Sequence, residues 1–155
     1  MDVRLIAFDL DGTTLVRHQF ISEANQRALR EAARRGMVLV PASGRMKDFL
    51  PQEITSLPGV RYAITASGAG VYDLETGQAV WQCLIPNEKA RQVQALLSEY
   101  DIFVEYYDGG RAITRRGDPE RAVAHFGIPE SKLHFLTKDY RLEEELGEAL
   151  EATGL

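Results

Sequence analysis

One cysteine, Cys83, stands alone in the 155 residues, so no disulfide can form within the chain and the sequence fits a reducing compartment. Basic residues are outnumbered: 18 Lys and Arg face 23 Asp and Glu, a formal charge of −5. That balance offers no positive field for nucleic acid or an anionic membrane surface. No apolar run approaches the length needed to cross a bilayer, and the residues before Asp9 lack the layout of a secretory leader. A cytoplasmic protein without nucleic-acid or membrane partners is the expectation. Internal repeats and low-complexity stretches are absent as well. What is present, 45% hydrophobic and 26% charged residues, is ordinary globular composition for one domain or two small ones.

The densest chemistry lies near the start. Leu5-Ile6-Ala7-Phe8 is a short apolar run of the kind that forms a strand buried on both faces of a parallel sheet, and it leads directly into Asp9-Leu10-Asp11-Gly12-Thr13. Alternate strand residues point the same way, so Asp9 and Asp11 can reach one point beyond the strand's carboxyl end, where open α/β sheets bind ligands. Two neighbouring carboxylates do not both ionise cheaply without a cation, which suggests one on a metal and one carrying a proton. Asp9 can then attack phosphorus as a nucleophile while Asp11 exchanges a proton with the leaving oxygen and with water. Gly12 permits a tight turn, and Thr13 adds a hydroxyl and an amide for phosphate oxygens. A calcium loop of EF-hand type is the weaker reading, because its fifth and twelfth positions fall on Thr13 and Phe20.

Asp-x-Asp-Gly-Thr after a buried strand resembles the first motif of the haloacid dehalogenase superfamily of aspartate-nucleophile phosphatases. The resemblance implies a Rossmann-like, parallel, three-layer α/β core. It also implies Asp9 as nucleophile, Asp11 as general acid/base, and Mg²⁺ held by the Asp9 carboxylate and the Asp11 main-chain carbonyl together with a later acid.

Downstream, Ser22 is a candidate N-cap for a helix that ends near Arg35, with Gly36 as its left-handed stop and Ala28, Leu29, Ala32 and Ala33 as its apolar stripe. Val16 to Phe20 reads as a loop or hairpin. Met37 to Val40 is a second strand running into Pro41-Ala42-Ser43-Gly44-Arg45, so a parallel βαβ unit would bring Ser43 beside Asp9. Ser43 matches the superfamily's second, phosphate-binding motif, and Ser43-Gly44-Arg45 resembles the triplet of its Cof-type sugar-phosphatase branch. That branch implies phosphate contacts from Ser43 and Gly44 and a substrate contact from Arg45, for which an exposed arginine at a helix start is the plain alternative.

A helix is expected from Lys47 to Leu57 with Pro51 in its first turn or at a break, then a strand at Tyr62 to Thr65. Ser67-Gly68-Ala69 follows where the Cof-type branch carries Asn-Gly-Ala, making Ser67 and Gly68 candidate substrate contacts with a Ser in place of the Asn. Gly70 to Leu74 and Ala79 to Leu84 should form a hairpin about Glu75-Thr76-Gly77. The boundary is expected near Leu84, giving an incomplete core over 1–84 and the beginning of an inserted α/β cap over 85–155. In that second part the expectations are a helix from Asn87 with Ala90, Val93, Leu97 and Tyr100 on one face and a hairpin around Asp108-Gly109-Gly110. A helix at Asp118 to Phe126 and a long helix from Tyr140 to Thr153 striped by Leu142, Leu146 and Leu150 follow. Tyr106, Tyr107 and Arg111 are read mainly as packing residues, His125 and His134 as structural, and Gly117-Asp118-Pro119 as a turn.

The superfamily's later Lys and Gly-Asp-x-x-x-Asp acidic loop find no match in these residues. The resemblance therefore implies part of a Mg²⁺-dependent phosphatase for a small phosphorylated metabolite, such as a sugar phosphate. The alternatives are a non-catalytic binding fragment and, on the same scaffold, a phosphomutase. In the family the first strand is flanked on one side by strands that follow the cap, so here Val3 to Phe8 is expected to form an open edge that invites self-association.

Overall fold

The computed structural model describes residues 3–108, 111–130, 133–138 and 140–150. The chain divides into two compact units, residues 1–83 and 84–155.

The first unit follows the polarity pattern closely. Strand β1 (Leu5–Asp9) leads through a small hairpin of β2 (Leu15–Val16) and β3 (Phe20–Ile21) into helix α1 (Glu23–Arg34), and β4 (Val38–Ala42) returns parallel to β1. The Ser22 hydroxyl accepts the Asn25 amide at 3.2 Å and caps α1, while Gly36 ends it at φ 81°. A 3₁₀ turn (Lys47–Phe49) and a one-turn helix α2 (Gln52–Thr55) replace the single helix expected there. Pro51, extended at φ −62° and ψ 134°, separates them: it has no amide to donate to the preceding turn. β5 (Tyr62–Thr65), β6 (Gly70–Asp73) and β7 (Ala79–Gln82) complete a sheet ordered β1-β4-β5-β6-β7, parallel across β1, β4 and β5 and antiparallel thereafter.

The two faces of this sheet differ. Phe8 packs with Leu10, Leu15, Ile21, Ile54 and Ala63 in the core, with Leu29 of α1 against it. On the other face Leu5, paired with Val38, stays 53% exposed and Val38 40%. β1 is thus an edge strand, covered on one side only, rather than the doubly buried strand its apolar run suggests. The run records a hydrophobic strand; it carries no information about which neighbours lie within the same chain.

The second unit has helix α3 (Asn87–Leu97), strands β8 (Tyr106–Asp108) and β9 (Arg111–Arg115), helices α4 (Asp118–His125) and α5 (Leu133–Lys138), strand β10 (Tyr140–Glu143) and the one-turn helix α6 (Leu146–Ala149). Its sheet runs β10-β9-β8, antiparallel between β8 and β9 and parallel between β9 and β10. Ile113, Leu146 and Ala149 form its core, with Tyr106 packed against them and donating to Gln94 Oε1 at 3.0 Å. Along α3, Ala90 is buried while Val93 is 44% exposed.

The long helix expected from Tyr140 is corrected here. Tyr140 to Glu143 is a strand, and helix resumes only at Leu146. The leucines at 142, 146 and 150 satisfy a helical spacing, but pairing with β9 outweighs that weak preference, and the Tyr140 hydroxyl donates to Glu105 at 2.7 Å. Gly117, at φ 86°, is a left-handed lead into α4. The Gly109-Gly110 turn, the stretch beyond residue 150, and the side chains of Arg111 and His134 lie outside the described residues.

Candidate active site

The site is assembled where parallel strands end. Register pairs Asp9 with Ala42, so Ser43, the next residue, emerges at the same edge as the first carboxylate. Asp9 is exposed, and the Thr13 hydroxyl donates to its Oδ2 at 2.6 Å, which fixes one oxygen. Gly12 sits at φ 80° with open space where a Cβ would stand, so its role is conformational. The Leu10 carbonyl collects the amides of Thr14 and Leu15 at 3.1 and 2.8 Å, closing the turn that presents Asp11. The Thr13 amide points to that same carbonyl at 3.4 Å and its hydroxyl to Asp9, instead of standing free for phosphate.

Ser43 is buried, its hydroxyl accepting the Arg45 amide at 3.1 Å. Its loop is stitched to the end of β5: the Ser67 amide donates to the Ser43 carbonyl at 3.2 Å and the Ala66 amide to the Arg45 carbonyl at 2.9 Å. A Cβ on Gly44 would stand 3.4 Å from the Ser67 hydroxyl. Ser43, Gly44, Arg45 and Ser67 therefore share one neighbourhood, with Gly68 next to it at φ 98°. Ala66 and Ser67 are both left-handed, at φ 49° and 55°, a conformation that costs residues bearing a Cβ and that a local hydrogen-bond lattice must hold.

Asp11 is engaged from two sides. Arg45 spans its carboxylate, Nε donating to Oδ2 at 2.8 Å and Nη2 to Oδ1 at 2.7 Å, and His18 Nδ1 lies 3.0 Å from Oδ1. The Arg45 guanidinium beside Asp11 holds its carboxyl below the usual carboxylate range; burial opposes this and His18 reinforces it. His18 had no motif to mark it. It sits in the β2–β3 turn, left-handed at φ 60° beside Arg17 at 50°, and its link to Asp11 arises only when that hairpin folds back.

For a hard divalent cation the donors fit in kind, a carboxylate at Asp9 and a carbonyl at Asp11, but they are few. Among the described residues no group of three His, Cys, Asp or Glu side chains could hold a metal ion. Nor is any helix among them long and apolar enough to cross a membrane.

Comparison with known proteins places the fold in a family. A family model described as haloacid dehalogenase-like hydrolase matches residues 6–150. The 5-amino-6-(5-phospho-D-ribitylamino)uracil phosphatase YcsE of Bacillus subtilis is 38% identical over 73 residues, 47% of this chain and 29% of that protein. The HMP-PP phosphatase of Yersinia pestis is 32% identical over 126 residues, 79% of this chain and 44% of that one. A solved haloacid dehalogenase-like hydrolase from B. subtilis superposes with a TM-score of 0.71 at 27% identity, over 97% of this chain and 57% of its own. The chain thus spans less than half of these curated relatives and little over half of that structure. With the family model covering nearly the whole sequence, the chain belongs to the haloacid dehalogenase-like hydrolases.

Proposed function

We propose that residues 1–155 carry the nucleophile and the phosphate loop of a Mg²⁺-dependent phosphohydrolase acting on a small phosphorylated metabolite of sugar-phosphate type. The observation that supports this reading is the pairing of Asp9 with Ala42, by which Asp9 and the residue before Ser43 end neighbouring parallel strands at one edge of the sheet. In this reading 1–84 is the core and 85–155 the first part of a cap, and the two relatives named as phosphatases supply the substrate class.

The chemistry proceeds in two displacements. An Asp9 oxygen attacks phosphorus, the bond to the leaving oxygen breaks, and that oxygen takes a proton from Asp11, which has to gain one beforehand against the pull of the Arg45 guanidinium. Water then attacks the aspartyl phosphate, giving a proton to Asp11 as the phosphorus–Asp9 bond breaks and phosphate leaves. Ser43, Gly44 and Gly12 hold phosphoryl oxygens, Thr13 orients the Asp9 carboxylate, and Ser67 and Gly68 contact the remainder of the substrate. Mg²⁺, held by the Asp9 carboxylate and the Asp11 carbonyl, would offset charge at phosphorus.

A second reading, a non-catalytic fragment that binds phosphate or another chain, is favoured by the sparse metal donors among the described residues. Assaying Mg²⁺-dependent release of phosphate from an aryl ester by this chain, beside any longer product of its reading frame, separates the two. Turnover by the longer product alone assigns the fragment reading to the short one, and silence from both overturns the enzyme. The exposed β1 edge carries a further proposal, that the 155-residue chain self-associates by pairing there. Light scattering that stays monomeric across a wide concentration range would overturn it.

A further inference from the structure

We propose that Arg45 is a positioning residue for Asp11, setting the direction in which that carboxyl meets the leaving oxygen; this rests on the phosphohydrolase reading above. A guanidinium has five N–H donors in a rigid planar fork. Here Nε and Nη2 straddle the two Asp11 oxygens at 2.8 and 2.7 Å, Nη2 also donates to the His18 carbonyl at 2.7 Å, and Nη1 donates to the Phe49 carbonyl at 3.3 Å. Four contacts thus fall on the protein itself. The Arg45 fork is spent on a carboxylate and is braced from behind by two backbone carbonyls.

The bracing ties together parts of the chain distant in sequence. Asp11 belongs to the turn after β1, His18 to the β2–β3 hairpin, and Phe49 to the 3₁₀ turn after β4. Arg45 itself is anchored at both ends of its backbone, its amide on the Ser43 hydroxyl and its carbonyl accepting the Ala66 amide. The left-handed His18 is held in its unfavourable conformation where its carbonyl meets Nη2 and its ring meets Asp11 Oδ1. A carboxyl fixed along two oxygens cannot swing about its terminal torsion, and orientation of this kind is what proton transfer in a transition state requires.

The test compares two esters in the longest product of the reading frame that carries these residues. Nitrophenyl phosphate has a leaving oxygen that departs without a proton; glycerol phosphate has one that needs it. Arg45→Lys keeps the charge and loses the fork. It is expected to lower kcat/KM for glycerol phosphate by about 10- to 100-fold, and that for nitrophenyl phosphate by less than about threefold. In an Asp11→Asn background the same substitution should have no further effect on either ester. Equal losses on the two esters, or a loss that persists without the Asp11 carboxyl, would overturn the positioning role while leaving the phosphatase standing. A parent protein inert towards both esters would overturn the phosphatase and this role with it.

Discussion

Two aspartates in this chain are each gripped by arginine, and their circumstances are opposite. Asp118 opens α4 with its side chain 6% exposed, bonded by Arg115 and Arg121, each three residues away, at 2.9 and 2.8 Å. Asp11 keeps its side chain 30% exposed at the end of a parallel strand, bonded by an arginine 34 residues distant. The first pair is made by neighbours in sequence and secures a helix start. The second exists only because two strands and a hairpin converge, and it leaves a carboxyl standing at an open edge beside Asp9. A charged pair marks chemistry by where it stands rather than by how tightly it is held.

The contrast is sharpest for the first aspartate of the motif. Asp9→Asn should abolish measurable hydrolysis in the active form of the protein, since an amide neither attacks phosphorus nor balances a cation, while the unfolding midpoint stays near that of the parent. Residual turnover within about 100-fold of the parent would remove Asp9 from the nucleophile's role. Asp118→Ala should do the reverse. It takes a carboxylate from Arg115 and from Arg121, which keeps its bond to Asp101, and removes an acid from a helix start, costing about 1–3 kcal/mol of stability, discounted because both arginines reach water. Chemical denaturation of the second unit measures it, and an unchanged midpoint would make Asp118 the odd one out.

A smaller effect is expected at Ser43. Its hydroxyl is one of several phosphate donors, so Ser43→Ala should slow turnover by about tenfold, chiefly by weakening substrate binding. Isothermal titration with inorganic phosphate checks this, and unaltered affinity would displace Ser43 from the phosphate loop. The smallest effect concerns a third pair, Arg61 on Asp73 at 2.8 Å, which lowers the Asp73 pKa. A depressed carboxyl stabilises the fold above its unfolded pKa of about 3.9, and that contribution fades as pH falls through the lower folded value. Acid titrations should therefore show Arg61→Ala unfolding at a slightly higher pH than the parent; coincident curves would reduce the pair to surface decoration.

How much of this could be read in advance depended on the range of the forces involved. The β1–α1–β4 run was legible because each boundary is written locally: an apolar strand, a serine cap, a glycine stop. Asp9 and Ser43 were legible because strand polarity carries them to one edge. Tyr140 to Glu143 was misread because a four-residue strand next to leucines at helical spacing takes its state from β9, and Pro51 split a helix where the sequence allowed either a first turn or a break. The grip of Arg45 on Asp11 and the contact from His18 were beyond reach. No local pattern encodes a bond across 34 residues, and a polar hairpin turn gives no sign of where it will fold.

The solitary Cys83 has a practical corollary. It is exposed, and it is the last residue of the first unit, its amide donated to the Ala69 carbonyl at 2.9 Å. With no other thiol in the sequence, a maleimide dye or spin label attaches at one known point without prior mutagenesis, and that point is the junction of the two units. The same thiol can also join two copies by air oxidation, so any search for association through the β1 edge has to be run in reductant, or an artefact of storage will be counted as an interface.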